Sequence, residues 1–407
     1  MPGLNITYQI PFANNFIVSG LGRIQGRLSA LKVDFYRHQL GEKNLQRFAR
    51  VLGSIFLTTG KETALFEEKF AAYLGQKHAL GLMSGTAALH LALLALGLGP
   101  GDEVITTPMT FVATSLAILH TGARPVFVDV EPHTGNLDVT RVAAAVTSRT
   151  KAILPVHLYG QMVDMRGLKA LAEGANLLLI EDAAHCLEGE RDGVRVGELA
   201  DAACFSFYAT KSITCGEGGA LTTNHDFLME PLKKLRLHGM STHAEDRYTG
   251  RYRHYNVDVE GWKYNMPNLA AALLIDQIDE IEARRQERER LALFYRDRLA
   301  GLPGLDLPTL LPGVKQGHHL FTIWVDPARR DAILWALQEK GVGVAVNYRP
   351  CHLYTLFRER YGHREGDFPH AERIGQRTIS LPLYPGLRDE EAEYVADAVR
   401  EVVRSHG

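Results

Sequence analysis

The chain reads as an α/β protein, with a mostly parallel seven-stranded sheet covered by helices on both faces and a smaller C-terminal α/β domain. Three observations predict this. From His78 to Leu237, short apolar runs alternate with segments of helical period. The strand-like runs are apolar almost throughout, as in sheets buried on both faces. Gly, Pro, Ser and Asp punctuate the joints. A chain of 407 residues exceeds one small core, and we expect an extension at 1–31, a large domain at 32–280 and a small domain at 281–407.

Taken in order, residues 1–31 hold Gly20-Leu21-Gly22-Arg23-Ile24-Gln25-Gly26 after an apolar run. This imitates a dinucleotide-binding turn, but the spacing is wrong and no acidic residue closes a following strand. Glu62–Leu74 places Leu65, Phe66, Phe70, Tyr73 and Leu74 on one helical face, and Gly75 stops it. His78–Met83 is the first strand, followed by Ser84-Gly85-Thr86 and an apolar helix at Ala87–Leu96. Strands follow at Glu103–Thr107, Pro125–Val130, Lys151–Val156, Leu177–Ile180, Ala202–Phe207 and Ala220–Thr223. Helices fall at Phe111–His120, Asp138–Val146 with Asp138 as cap, Met165–Glu173 and Phe227–Leu237. Residues 239–263 read as a long loop with Arg247, Arg251 and Arg253. One long helix is predicted from Asn268 to about Leu299, its charge run from Glu280 to Arg290 forming a solvated face. Strands at Leu320–Val325 and Gly343–Asn347, with helices at Ala332–Lys340 and Glu390–Val403, complete the small domain.

Composition narrows the classes. With 45 basic and 47 acidic residues the net charge is −2, so no global field points to nucleic acid or an anionic membrane. Cys186, Cys204, Cys215 and Cys351 form neither a paired framework nor a metal-binding spacing, and no metal site is expected. No run reaches the roughly 18 apolar residues of a membrane helix, and no leader pattern opens the chain. A cytoplasmic location is the expectation.

Four stretches at predicted strand ends carry chemistry, since ligands of parallel sheets gather at the strands' carboxyl ends. Ser84-Gly85-Thr86-Ala87 leads into a helix whose free N–H groups suit a phosphate. Phe111 offers a flat face, although a lone aromatic is ordinarily core. Glu181-Asp182 puts carboxylates at the end of a buried strand, where a cation or a strong donor is expected as partner, a protonated ring nitrogen or a structural arginine serving equally. Ser206 and Lys211 flank the next strand end, before Gly216-Glu217-Gly218-Gly219. A loop lysine is ordinarily solvated. The ordered set nonetheless meets the needs of pyridoxal 5′-phosphate: a phosphate cradle, a ring face, an acid for the pyridine nitrogen and an amine for the aldehyde.

The sequence resembles the DegT/StrS sugar-nucleotide aminotransferases, of the aspartate-aminotransferase fold (fold type I), over about residues 33–407. The markers are Thr58-Thr59-Gly60, Ser84-Gly85-Thr86-Ala87-Ala88-Leu89, Thr110-Phe111-Val112-Ala113-Thr114, Val156-His157-Leu158-Tyr159-Gly160, Glu181-Asp182-Ala183-Ala184-His185, Cys204 to Lys211, and Gly261-Trp262-Lys263-Tyr264-Asn265-Met266. The resemblance implies that Lys211 carries the cofactor and moves the proton, Asp182 holds the pyridine nitrogen, Phe111 stacks on the ring and His185 contacts the ring oxygen. It implies phosphate binding by Ser84, Gly85, Thr86 and Ser206, with Asn265 reaching the phosphate of a neighbouring subunit, hence a homodimer with shared sites. Thr59, Tyr159, Glu217, His238, Asn347 and Tyr348 are the implied substrate contacts.

The stretch Thr214–Gly219 is similar to the branch aminating carbon 4 of the sugar, such as the enzyme making UDP-4-amino-4-deoxy-L-arabinose. The implied reaction moves an amino group from L-glutamate to a keto sugar nucleotide in amino-sugar biosynthesis. Alternatives are a carbon-3 keto sugar, a free keto cyclitol, or a non-catalytic cofactor-binding regulator. Dehydratase relatives replace the lysine by histidine, and this chain keeps Lys211. Pro267-Asn268, in place of the usual Thr-Asp, and Asn347-Tyr348 depart from relatives without touching the cofactor set.

Overall fold

The structure is a computed structural model, and it describes residues 31–241 and 254–406. The glycine-rich stretch at 20–26 and the arginines of 247–253 lie outside the described residues. Helices α1 (Glu42–Leu52) and α2 (Lys61–Leu74) precede strand β1 (His78–Leu82), after which β and α alternate: α3 (Gly85–Ala95), β2 (Glu103–Thr106), α4 (Ala113–His120), β3 (Arg124–Phe127), α5 (Val139–Val142), β4 (Thr150–Leu154), α6 (Met165–Ala175) and β5 (Leu178–Asp182). A small hairpin, β6 (Glu190–Arg191) and β7 (Val194–Arg195), interrupts before β8 (Ala202–Ser206), β9 (Gly219–Thr223) and α7 (Asp226–Leu235).

The seven strands expected form one sheet in the order β1-β9-β8-β5-β4-β2-β3. Pairing is parallel from β3 through β2, β4 and β5 to β8. Strand β9 runs antiparallel to both β8 and β1. The other six strands therefore share a direction, and their carboxyl ends meet at one edge. The two-residue period sends neighbouring residues to opposite cores. Ile153 and Leu179 join Phe66, Phe70, Met165, Leu168 and Leu274, whereas Ala152, Leu154 and Ile180 join Leu91, Ile118, Leu228 and Leu232. Helices thus cover both faces. Within the first core Phe70 meets Phe205 and Phe207 edge-on, with centroids 5.1 and 5.4 Å apart, a geometry that adds to simple burial.

The second half departs from the sequence expectations in three places. Residues 268–299 form two helices, α8 (Asn268–Ile278) and α9 (Ile281–Leu299). Helix α8 is apolar and packs in the first core, whereas Leu291, Ala292, Tyr295 and Leu299 of α9 pack in another, so the chain turns at Asp279–Glu280. The charge run of α9 is not a solvated face. Arg284, Arg285 and Arg288 are buried, and Arg284 and Arg285 are balanced by Glu280, Glu282 and Glu289 one turn away, as close helical pairs allow. Third, Gly343–Asn347 is not a strand. Val342 bridges to Val33 and Ala345 to Ser380, two different partners, so no ladder propagates.

Strands β10 (Leu305–Asp306), β11 (Val314–Lys315), β12 (Phe321–Val325) and β13 (Thr378–Leu381) and helices α10 (Arg330–Glu339), α11 (Thr355–Tyr361), α12 (Pro369–Arg377) and α13 (Asp389–His406) complete the chain. β12 lies between β10 and β13, antiparallel to both. The core beneath this sheet takes Ile323, Val325, Ile379, Leu381 and the buried face of α13, together with Val33 from the start of the described chain.

Candidate active site

The edge where the six strand ends meet opens into a cavity of about 520 Å³. Ser84, Gly85, Thr86, Phe111, Asp182, His185, Ser206, Lys211, Glu217, Asn347 and Tyr348 all line it. Each owes its place to a local rule. Ser84 caps α3, its Oγ accepting from Ala87 N–H at 3.1 Å, so the remaining first-turn N–H groups have no partner within the helix. That turn faces the cavity and, through the helix dipole, favours an anion. Gly85 packs against β8 so closely that a Cβ there would lie 2.9 Å from Ser206 Cβ.

Asp182 ends β5 and is 5% exposed. Its Oδ2 accepts from Thr114 Oγ1 at 2.7 Å and its Oδ1 from Ala184 N–H at 3.1 Å, both uncharged donors. Burial pushes its carboxyl above the ordinary range, opposed by the Thr114 hydroxyl, the Ala184 N–H and the Lys211 charge. A cationic partner in the cavity would reverse that shift. Lys211 follows β8 in a turn closed by its own N–H to Tyr208 O at 2.9 Å. Desolvation lowers its amine to about 8, with the Asp182 charge acting the other way.

His185 accepts at Nδ1 from Tyr159 N–H at 3.4 Å and faces the Tyr348 hydroxyl at Nε2, 2.9 Å away. The first contact assigns the proton to Nε2, which then donates to Tyr348. Burial, followed by the Lys211 charge, keeps this imidazole neutral. Phe111 is 58% exposed, with its ring 6.1 Å from that of Tyr348. Its ring therefore lines the cavity instead of packing in a core.

Thr59, Tyr159 and His238, expected at the site, do not line this cavity, and Asn265, expected to serve a neighbouring subunit, does not line it either. Asn265 bonds Thr59 Oγ1 at 2.6 Å, and neither lines this cavity in its own chain. Tyr159 stands behind it, holding His185 through its N–H and Asn347 O through its hydroxyl. His238 is exposed, its N–H bonded to Trp262 O. Two residues given no role from sequence stand close to the chemistry, Thr114 on Asp182 and His319, whose Nε2 is 3.4 Å from Lys211 Nζ. Thr114 sits within a marker motif. His319 had only the signal of a histidine pair ahead of a strand.

The donor set fits pyridoxal phosphate: a helix N-terminus for an anion, a buried carboxylate that calls for a cation, an exposed aromatic face and an amine lowered towards neutrality. Fold and cavity together define a pyridoxal-phosphate-dependent aminotransferase of fold type I. Residues 38–400 match the DegT/DnrJ/EryC1/StrS aminotransferase family, and the chain belongs to it. It is 40% identical over 371 residues to the spore coat polysaccharide biosynthesis protein SpsC of Bacillus subtilis, covering 90% of this chain and 95% of that one. It is 38% identical over 378 residues to the UDP-4-amino-4-deoxy-L-arabinose–oxoglutarate aminotransferase of Shewanella sediminis, covering 90% and 97%. Among solved structures, NtdA of Bacillus subtilis with bound cofactor PMP superposes with a TM-score of 0.78 at 31% identity, covering 89% and 81%. The protein is a sugar aminotransferase, and pyridoxal phosphate is its cofactor.

Proposed function

We propose that this enzyme moves an amino group from L-glutamate to carbon 4 of a keto sugar nucleotide. The observation that carries the reading is the convergence of Lys211, Asp182 and the N-terminus of α3 on one cavity. Its size falls in the ~300–1,000 Å³ range of ligand pockets, with width for a substrate beside the cofactor. The similarity of the chain to the Shewanella enzyme supports the sugar nucleotide and the oxoglutarate side of the reaction.

When bound, pyridoxal phosphate supplies the electron sink and the carbonyl that accepts the amino group. The chain supplies the rest. The first turn of α3 with Ser206 would bind the phosphate, and Asp182, steadied by Thr114, would keep a proton on the ring nitrogen. Phe111 would meet the ring face and His185 the ring oxygen. Lys211 is the base. An amine of pKa about 8 both accepts and returns a proton near neutral pH, where general catalysis is most effective. Glu217, Asn347 and Tyr348 stand at the cavity wall to meet the sugar.

Division into a cofactor domain at 32–280 and a small domain at 281–407 belongs to the same reading, supported by the separate core that α9 joins. So does a homodimer. Asn265 lies off its own chain's cavity, and Leu45, Leu52, Ile55 and Leu57, on and just after α1, are all exposed.

The test is turnover of a panel of keto sugar nucleotides with L-glutamate, the product identified by NMR. A 4-amino sugar nucleotide is expected; a 3-amino product, or turnover of a free keto cyclitol alone, would replace the proposed acceptor. Lys211→Ala should remain folded, bind cofactor without its lysine-linked absorption band, and lose transamination by at least about 10³-fold.

A further inference from the structure

His319 faces the amine of Lys211 from a segment that the rest of the site does not use. It is 6% exposed, its Nε2 is 3.4 Å from Lys211 Nζ, and its ring packs on that of His185 with centroids 4.4 Å apart. Desolvation, with the Lys211 charge beside it, holds its imidazole well below the ordinary histidine range. It stays neutral over the range in which Lys211 titrates, and since an ammonium can only donate, the tautomer that meets Lys211 is the one with the proton on Nδ1 and Nε2 as acceptor.

The segment carrying it is pinned. Gly317 N–H donates to Gly160 O at 2.8 Å and His319 N–H to Tyr159 O at 3.1 Å. Gly160, at φ +104°, permits this approach, because a Cβ there would lie 2.8 Å from His318 N. Gly317 O accepts from Arg288 Nε and Nη2 at 3.2 and 3.1 Å, and the same Nη2 bonds Glu188 Oε1 at 2.6 Å. Glu188 Oε2 in turn accepts from Ser212 Oγ at 3.4 Å, one residue beyond Lys211. A buried ion pair therefore ties the two segments together and fixes the distance between imidazole and amine.

We propose that His319 is a positioning residue for Lys211, its neutral imidazole accepting a hydrogen bond from Nζ and holding the amine in one orientation whenever the lysine is free of the cofactor. The inference rests on Lys211 being the reacting amine, which Lys211→Ala tests separately. Around the main cavity the titratable groups beside this pair are Asp182, His185, Glu217, Tyr208 and Tyr348. Across the crevice behind Lys211 they are Arg284 and Arg288 of α9, with Tyr36, Arg37, His38 and Tyr384.

The experiment titrates Lys211 in the full-length protein freed of cofactor, by following its acetylation against pH with mass spectrometry, and measures kcat and KM in the reconstituted enzyme. His319→Leu removes the acceptor, and a lost hydrogen bond to an ammonium disfavours the charged form. The midpoint should fall by about one pH unit below the wild-type value, and kcat by roughly ten- to a hundredfold with KM little changed. His319→Gln places an oxygen where Nε2 stands and should restore both. The proposal is overturned if His319→Leu leaves midpoint and kcat at wild type. It is equally overturned if His319→Gln is as impaired as His319→Leu at wild-type melting temperature, since ring packing would then be the cause. Should His319→Leu fail to fold, His319→Phe serves as the acceptor-free variant.

Discussion

Asp182 and Lys211 set each other's protonation. The carboxylate raises the lysine's pKa and the ammonium lowers the acid's, while burial opposes both charges. Asp182→Asn keeps the volume and removes the charge, so the Lys211 midpoint should move below about 8. On the proposed role, steady-state kcat should drop on the order of 10²–10³-fold, because the ring nitrogen would lose its anionic partner. Acetylation of Lys211 against pH checks the first statement and kinetics the second; an unmoved midpoint would show that the two groups do not interact. In the wild-type protein a lysine lowered from 10.5 becomes a free base as pH rises through about 8, so its reactivity should climb from pH 7 to 9 and then level. Both residues were legible in the sequence as members of an ordered set at successive strand ends and of the family markers, although a loop lysine by itself is ordinarily a solvated group. His319 was not, because its importance lies in a 3.4 Å contact between residues far apart in the chain.

Helix α3 and strands β8 and β9 are the elements that shape the end of the cavity proposed for the phosphate. Their fit depends on missing side chains. A Cβ on Gly85 would stand 2.9 Å from Ser206 Cβ and 3.3 Å from Phe205 O, and one on Gly219 would strike the backbone of Ser84. Gly85→Ala should therefore push the first turn of α3 away from β8. The protein should fold but hold its cofactor about tenfold more weakly, a loss of ~1.4 kcal/mol, read by fluorescence titration of the cofactor. The seven strands of the main sheet were legible because each is a short apolar run bounded by turn residues. The elements of 343–390 were less so. Ile379 and Leu381 alternate with Thr378 and Ser380 over only four residues, too short a run to outweigh its neighbours, and the expected strand before it found two partners rather than one.

At the scale of the whole molecule, the proposed homodimer completes each site with residues of two chains. If Asn265 serves the cavity of a second copy, Lys211→Ala and Asn265→Ala should each be inactive or weak as homodimers, yet co-expressed they should regain activity, because one hybrid site keeps both residues. Light scattering should give twice 45.2 kDa. A monomer, or no recovery in the mixture, would overturn the shared site. No helix among the described residues is long and apolar enough to cross a membrane. The amino-acid order by itself determined the alternating α/β sheet and the family, and it singled out the turn before α3, Asp182 and Lys211, since these depend on local period and on short motifs. Only the tertiary structure decided that α8 and α9 are two helices in two cores, that the arginines of α9 are buried partners rather than a wetted face, and that His319 meets Lys211. Those outcomes follow from what packs against what, and a linear pattern does not hold that information.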